Sequence, residues 1–217
     1  MSEGAFNAFY VERGIAVGAL KRLRSGIQMQ FVGGSKILVD CLLGHACTKA
    51  PDIQKSLRLA HTGLQTLIQS FSIVSPDAQE LALQVPRSDN SAADAAANKA
   101  LDTGSFMEVR LEGVVALVHE LGRTQRQNKL GLLFSFDGAA RGNPGPSASG
   151  VCAWWGFFHN DLFEPKGLLI QRGTCLGTST NNISEAHGLA TAVKVALRYY
   201  YRVTEQLVQL AQHSVTE

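Results

Sequence analysis

The sequence predicts an α/β fold in which one mixed sheet carries helices on both faces, and three observations lead there. Strand-like runs "IQMQFV" and "ELALQV" in the first half are separated by segments of helical length and periodicity. In the second half, "LGLLFSF", "GVCAWWGFF" and "GLLIQRGTCLG" are joined only by Gly/Pro-rich or polar turns, too short for anything but an antiparallel meander. Hydrophobic residues make up 45% of the 217, which is ample for a core.

The elements follow in order. Ala8 to Ser25 carries apolar residues at Val11, Ile15, Ala19 and Leu23, a helical spacing closed by Gly26. "IQMQFV" alternates apolar and polar residues as a strand until "GGS" breaks it. "SKILVDCLLG" and "PDIQKSLRLAHTGLQTLIQSF" read as helices, the second with Pro51 in its first turn and Asp52 favouring the dipole. "ELALQV" is a strand ended by Pro86, and the Ala-rich "SDNSAADAAANKALD" a helix capped by Ser88, Asp89, Asn90 or Ser91. "FMEVRLEGVVALVHELG" reads as a helix and "RTQRQNK" as a boundary. After the meander, "STNNISEAHGLATAVKVALRYYYR" reads as a helix and "EQLVQLAQHS" as a last strand.

Composition excludes several classes. No apolar run reaches the roughly 18 residues that span a bilayer, and "MSEGAFNAFYVERG" lacks the basic-then-apolar order of a secretory signal. The expectation is a cytoplasmic or nuclear protein with no membrane partner. Cys41, Cys47, Cys152 and Cys175 form no CxxC pair, so reduced thiols packed as small hydrophobes are expected and zinc is not. The net charge of +2 argues nothing strong about partners, and "LKRLR" at Leu20 to Arg24 reads as a solvated helix face. Trp154, Trp155 and the run Tyr199 to Tyr201 read as packing rather than a base-stacking platform.

The chemistry concentrates in two motifs. "FDGAARGNPGP" at Phe136 to Pro146 puts a lone carboxylate, Asp137, on an apolar strand and follows it with small residues. "STNNISEAHGL" at Ser179 to Leu189 puts Glu185 at the start of a helix. Alone, "GNPGP" is an ordinary hairpin turn; together at this spacing the two motifs resemble the first half of type 1 ribonuclease H. "FVGGSKILVDCLLG" resembles that family's fourth strand, which normally ends Gly-Asp-Ser. "LALQVPRSDNSAADAAANKALD" resembles its last strand and helix, normally His-Val-Pro-Arg, then Asn, then Ala-Asp-Ala. The resemblance spans nearly the whole chain but in permuted order.

It implies residues 1–105 as a C-terminal-half segment, 106–129 as a helical linker and 130–217 as an N-terminal-half segment. The implied fold is a ribonuclease H-like mixed sheet, three antiparallel strands plus parallel ones, with "LLFSF" between "GVCAWWG" and "QMQFV" and parallel to the latter. A second feature competes with simple permutation. "GIAVGALKRLR" (Gly14 to Arg24) aligns with "GLATAVKVALR" (Gly188 to Arg198), each followed by a strand-like run, as in two tandem modules of which one is cut short.

Carried over residue by residue, the resemblance implies Asp137, Glu185 and Asp94 as catalytic and metal-binding. Gly138, Arg141, Asn143, Asn181 and Asn182 are implied in substrate binding, with the Gly-rich turn admitting a nucleic-acid backbone and Arg141 meeting a phosphate. The third acidic position falls on Gly34, or on His213 in the second copy, and the mobile histidine position on Gln84. In-line phosphodiester hydrolysis needs an activated water and a stabilised leaving oxygen, which two Mg²⁺ ions held by carboxylates supply. The resemblance therefore implies an RNA–DNA hybrid endonuclease with a two-metal site one ligand short and weakened activity. The alternatives are a non-catalytic nucleic-acid-binding remnant of a tandem protein and a mobile-element-derived fragment.

Overall fold

A computed structural model describes residues 27–71, 81–122, 129–159 and 162–212. The helix expected over Ala8 to Ser25, the first copy of the repeat and His213 lie outside them. In chain order the elements are β1 (Gln28–Gly33), α1 (Lys36–Leu42), α2 (Pro51–Phe71), β2 (Ala82–Gln84), a 3₁₀ turn (Arg87–Asn90) and α3 (Ser91–Thr103). There follow β3 (Phe106–Val109), α4 (Leu111–Gly122), β4 (Lys129–Ala140), β5 (Gly145–His159), β6 (Leu162–Ser179) and α5 (Asn181–Gln212). The fold is α/β, with all six strands in one mixed sheet of order β2-β1-β4-β5-β6-β3.

The pairing follows the connections. β4, β5 and β6 form the antiparallel meander that their short turns require. The β4–β5 turn has Gly142 at φ +98°, a left-handed conformation that favours glycine. β1 runs parallel to both β2 and β4, so strands from the two halves of the chain share one sheet. β1 is buried along its whole length, Gln28 and Gln30 included, so its alternation does not divide a core face from a solvent face. A strand between two parallel neighbours is covered on both sides. Phe31 of β1 stacks on Phe134 of β4 with ring centroids 5.2 Å apart, at the centre of the core.

Helices reach the two faces of the sheet through glycines. A side chain on Gly150 of β5 would strike the α3 backbone at Ala93 and Ala97, and Gly173, its partner on β6, faces Ala96 and Ala100. Ala93, Ala96, Ala97 and Ala100 are all fully buried, so the Ala-rich composition of α3 serves close packing as well as helix propensity. On the opposite face of the pleat, a side chain on Gly138 would strike α5 at Ser184 and Glu185. α2 packs in turn on α5, where Gly63 faces Val193.

Two sequence expectations are corrected. The segment read as a helical linker begins with β3, which pairs antiparallel with β6, and its helix starts only at Leu111. "FMEV" alternates with period two and meets the open edge of β6, and Arg110 N–H extends the ladder to Leu169 O at 2.9 Å. "EQLVQLAQ" is not a strand: α5 continues through Gln212, since no Gly or Pro after Gly188 interrupts it. The second strand-like copy of the repeat is therefore helical. Of the cysteines, all four are free, but only Cys41 and Cys152 are buried as expected; Cys47 and Cys175 are exposed.

The glycine contacts make a testable contrast. Gly150→Ala should destabilise the fold by about 1–3 kcal/mol or more in urea melts, because the α3 backbone cannot yield as a side-chain tip can. Gly34→Ala, with nothing within 4 Å of the added carbon, should be neutral or stabilising by up to about 1 kcal/mol. Equal effects at the two positions would contradict the packing described.

Candidate active site

Asp137 is the ninth of the 12 residues of β4, and each neighbouring helix is held against that point by a glycine. Register pairs Asp137 with Gly150, on which α3 rests at Ala93, so Asp94 in the first turn of α3 comes to the same end of the strand. On the other face, Gly138 receives the first turn of α5, and Gly188 packs on the Asp137 carbonyl, which brings Glu185 alongside. Gly138 was expected to admit substrate. Its open side is instead filled by helix, so it positions Glu185.

Asp137 is 7% exposed. Its Oδ1 accepts a hydrogen bond from Gly138 N–H at 2.8 Å, and the Asn90 side chain donates to it as well. Burial nonetheless pushes its pKa above the ordinary carboxylate value, and the charge of Asp94 adds to the shift. Glu185 is half-buried and accepts from Asn181 Nδ2 at 3.0 Å, and the nearby Ser35 side chain favours its charged form. Burial raises its pKa too, with Asp137 contributing. Asp94 thus bears on Asp137 and Asp137 on Glu185, and for buried Asp137 and half-buried Glu185 ionisation is disfavoured.

Three residues to which the sequence reading gave no part in the site complete the surroundings. Asn90 is 1% exposed; its Nδ2 donates to Phe136 O at 2.9 Å, while its Oδ1 is buried without a hydrogen-bond partner. This explains why Asn90, although at the N-cap of α3, makes no side-chain cap. Ser35 likewise stands at the N-cap of α1 without capping it, and serves Glu185 instead. Arg87 pairs with Asp94 at 2.9 Å, and its guanidinium is stabilised in charged form first by Asp94 and then by Asp137 and Glu185. The signal for all three was present in "GGS" and "VPRSDN", as the small polar and basic residues of the two N-terminal motifs.

The remaining expected residues divide. Asn143 Oδ1 accepts from Asn181 N–H at 3.4 Å, joining the β4–β5 turn to the start of α5. Asn182 and Asn143 are exposed at that end. Arg141 is exposed but ion-paired with Asp102. Gln84, at the mobile-histidine position, is exposed at the end of β2, and Gly34 is exposed just beyond β1 with open space around it. His187, two residues after Glu185, turns to β5, where its Nδ1 lies 2.9 Å from Ser149 Oγ. Burial pushes its pKa down, with Arg172 and Lys194 assisting, so it belongs to the packing and not to the carboxylates.

The donor set is all oxygen, carboxylate and amide, which suits Mg²⁺ rather than a softer ion. The unpartnered Asn90 oxygen and the mutually repelling carboxylates fit a site that accepts a cation. As they stand, no group of three or more His, Cys, Asp or Glu among the described residues is close enough to hold a metal ion. Comparison of the chain with protein-family models, curated proteins and solved structures returns no match. No helix among the described residues is long and apolar enough to cross a membrane.

The buried acid gives a signed pH dependence. A carboxyl whose pKa rises on folding holds protons that the unfolded chain releases. Its contribution to stability therefore falls as pH climbs through the raised pKa and stays lost at neutral pH. Asp137→Asn, which keeps an acceptor for Gly138, should be more stable than wild type at neutral pH in chelator. The gain should vanish below the ordinary carboxylate pKa of about 4. Urea melts at both pH values test this; a variant less stable than wild type at neutral pH would contradict it.

Proposed function

We propose that this chain is a permuted ribonuclease H-like protein that binds nucleic acid and, with Mg²⁺, hydrolyses the RNA strand of RNA–DNA hybrids weakly. One observation carries the reading: Asp137, on an interior strand, is flanked by Glu185 from one face and Asp94 from the other, in the pattern the permuted motifs require. The strand order supports it as well, since "LLFSF" lies between "GVCAWWG" and "QMQFV" and parallel to the latter. That both halves share one sheet favours permutation over a tandem fragment.

In this reading Asp137, Glu185 and Asp94 hold the cation, whose chemistry is to activate water and stabilise the leaving oxygen. The chain's own residues do the rest. Ser35 and Asn181 orient the Glu185 carboxylate, and Asn90 and Gly138 fix Asp137. Asn143, Asn181 and Asn182 offer neutral hydrogen bonds to sugar and base edges, including the 2′-hydroxyl that marks RNA. Arg141 meets a phosphate once it leaves Asp102, an exchange made easy because an exposed ion pair contributes only about 0–1 kcal/mol.

The missing carboxylate at Gly34 is the source of weakness. Gly34 adjoins Ser35, which helps to hold Glu185 in its charged form, and it has both open space and a backbone outside the left-handed region, so an Asp is accommodated there without backbone strain. Gly34→Asp should raise Mg²⁺-dependent cleavage of a labelled hybrid by at least tenfold, and Asp137→Asn should abolish it. If wild type and Gly34→Asp are both inert while hybrid binding persists, the non-catalytic binding protein is the better account, which the Arg87–Asp94 ion pair would also favour.

Binding itself should weaken as salt rises. Arg141→Ala should lower affinity several-fold and reduce the salt slope by about one, as loss of a single phosphate contact does. An unchanged slope in fluorescence anisotropy would remove Arg141 from the interface.

A further inference from the structure

Among the described residues Arg87 is the cation that bears on all three carboxylates, and its situation is unusual for a structural ion pair. Its side chain is 81% exposed, whereas that of its partner Asp94 is only 26% exposed. A single nitrogen makes the bond, at 2.9 Å, and no other hydrogen bond from Arg87 is found among the described residues. The rest of the guanidinium fork faces solvent. Its backbone cannot drift away, because the 3₁₀ turn it opens ends at Asn90, which is anchored on Phe136 O. Asp94 is fixed just as firmly by the packing of α3 on Gly150.

Charge arithmetic gives this placement a consequence. Three carboxylates and one guanidinium leave a net charge of minus two, enough for one divalent ion and too little for two. The guanidinium also engages Asp94 Oδ1 and neutralises its charge, so a cation entering the free protein meets a weakened ligand there unless Arg87 is displaced. A phosphate is the group best able to draw Arg87 off: the fork matches it in a two-pronged bond, and a solvent-exposed one-pronged carboxylate pair offers little resistance.

Resting on the proposed nucleic-acid and cation site, we propose that Arg87 is an exchangeable counter-ion: it holds Asp94 in the free protein and moves to a phosphate of bound nucleic acid, releasing Asp94 to one divalent cation. Nucleic acid and cation then bind with positive coupling, and by linkage each tightens the other by the same factor. The buried, unpartnered Asn90 Oδ1 beside Asp137 is an independent sign that the site is short of an electropositive partner in its free state. The device prevents a hydrolytic centre from assembling before substrate arrives.

The test uses Ca²⁺ and a short RNA–DNA hybrid with the full chain. Calorimetry gives Ca²⁺ affinity without hybrid, and anisotropy gives hybrid affinity with and without Ca²⁺ at fixed ionic strength, with Asp137→Asn as the control for non-specific effects. Wild type should bind one Ca²⁺ weakly and bind hybrid at least fivefold more tightly when Ca²⁺ is present, a gain absent from Asp137→Asn. Arg87→Gln should bind Ca²⁺ several-fold more tightly on its own and lose most of the coupling, while Arg87→Lys should restore weak Ca²⁺ binding. Coupling of equal size in wild type and Arg87→Gln, or no tighter Ca²⁺ binding by Arg87→Gln, overturns the counter-ion. Absence of Ca²⁺ binding in every variant, Gly34→Asp included, overturns the cation site itself and the counter-ion with it; hybrid binding unaffected by Ca²⁺ in wild type overturns the counter-ion and leaves the cation site standing.

Discussion

The structure depends on two helices touching the same stretch of sheet from opposite sides at backbone distance. Helices usually stand off a sheet by the thickness of their side chains. Here Gly138 and Gly188 remove that layer between α5 and β4, and Gly150 with the alanine stripe of α3 removes it on the other face. The carboxylates Glu185 and Asp94 are short levers on those helices, so only this close approach can bring either near a residue on the strand between them. The same glycines that look like turn-formers in the sequence are thus contact points, and their lack of side chains is an assembly requirement of the site.

Bringing acids together in a half-dry place has an electrostatic cost. Burial and mutual repulsion push Asp137 and Glu185 away from ionisation, and the surroundings answer with donors: Gly138 N–H and Asn90 for Asp137, Asn181 and Ser35 for Glu185. Two of those donors are helix-start residues that leave their own helices uncapped. Capping is typically worth about 1 kcal/mol, so its loss is a measurable sacrifice of local stability for orientation of the acids. Strain of this kind at a cluster of polar groups is expected where the groups serve something other than folding.

Much of this arrangement was legible in the sequence, though unevenly. The meander was legible because its turns are short and carry Gly and Pro. The parallel placement of "QMQFV" beside "LLFSF" came from motif order and not from either strand's own pattern. Asp137, Glu185 and Asp94 were legible as members of spaced motifs. Arg87 and Ser35 were not, because their roles depend on which element lies opposite, which spacing along the chain does not encode. The function of Gly138 was misread for the same reason: a glycine signals that something approaches closely, without saying whether it is a ligand or a helix. The two local errors have a common origin. "FMEV" continues into a helical pattern and "EQLVQLAQ" follows from one, so short windows gave the wrong period, and the open edge of β6 and the absence of a breaker decided the outcome.

The corrected segment also explains how the chain's two halves can be joined in this order. α3 ends on the β6 side of the sheet, whereas β4, the next strand of the core, lies toward the middle. β3 adds to the β6 edge and runs antiparallel to it, so it heads toward the end of the sheet where β4 begins and stops level with Phe134 of β4. From there the chain has to cross three strand spacings, about 14 Å. α4 is 12 residues long, or about 18 Å, which covers that distance with its apolar side on the sheet. Leu117 and Leu121 of α4 are buried in the common core, and Gly113 lies against the backbone of β6. α4 is thus a packed layer of the fold that covers part of the sheet between β3 and β4, and strands far apart in sequence bracket Asp137 within one sheet.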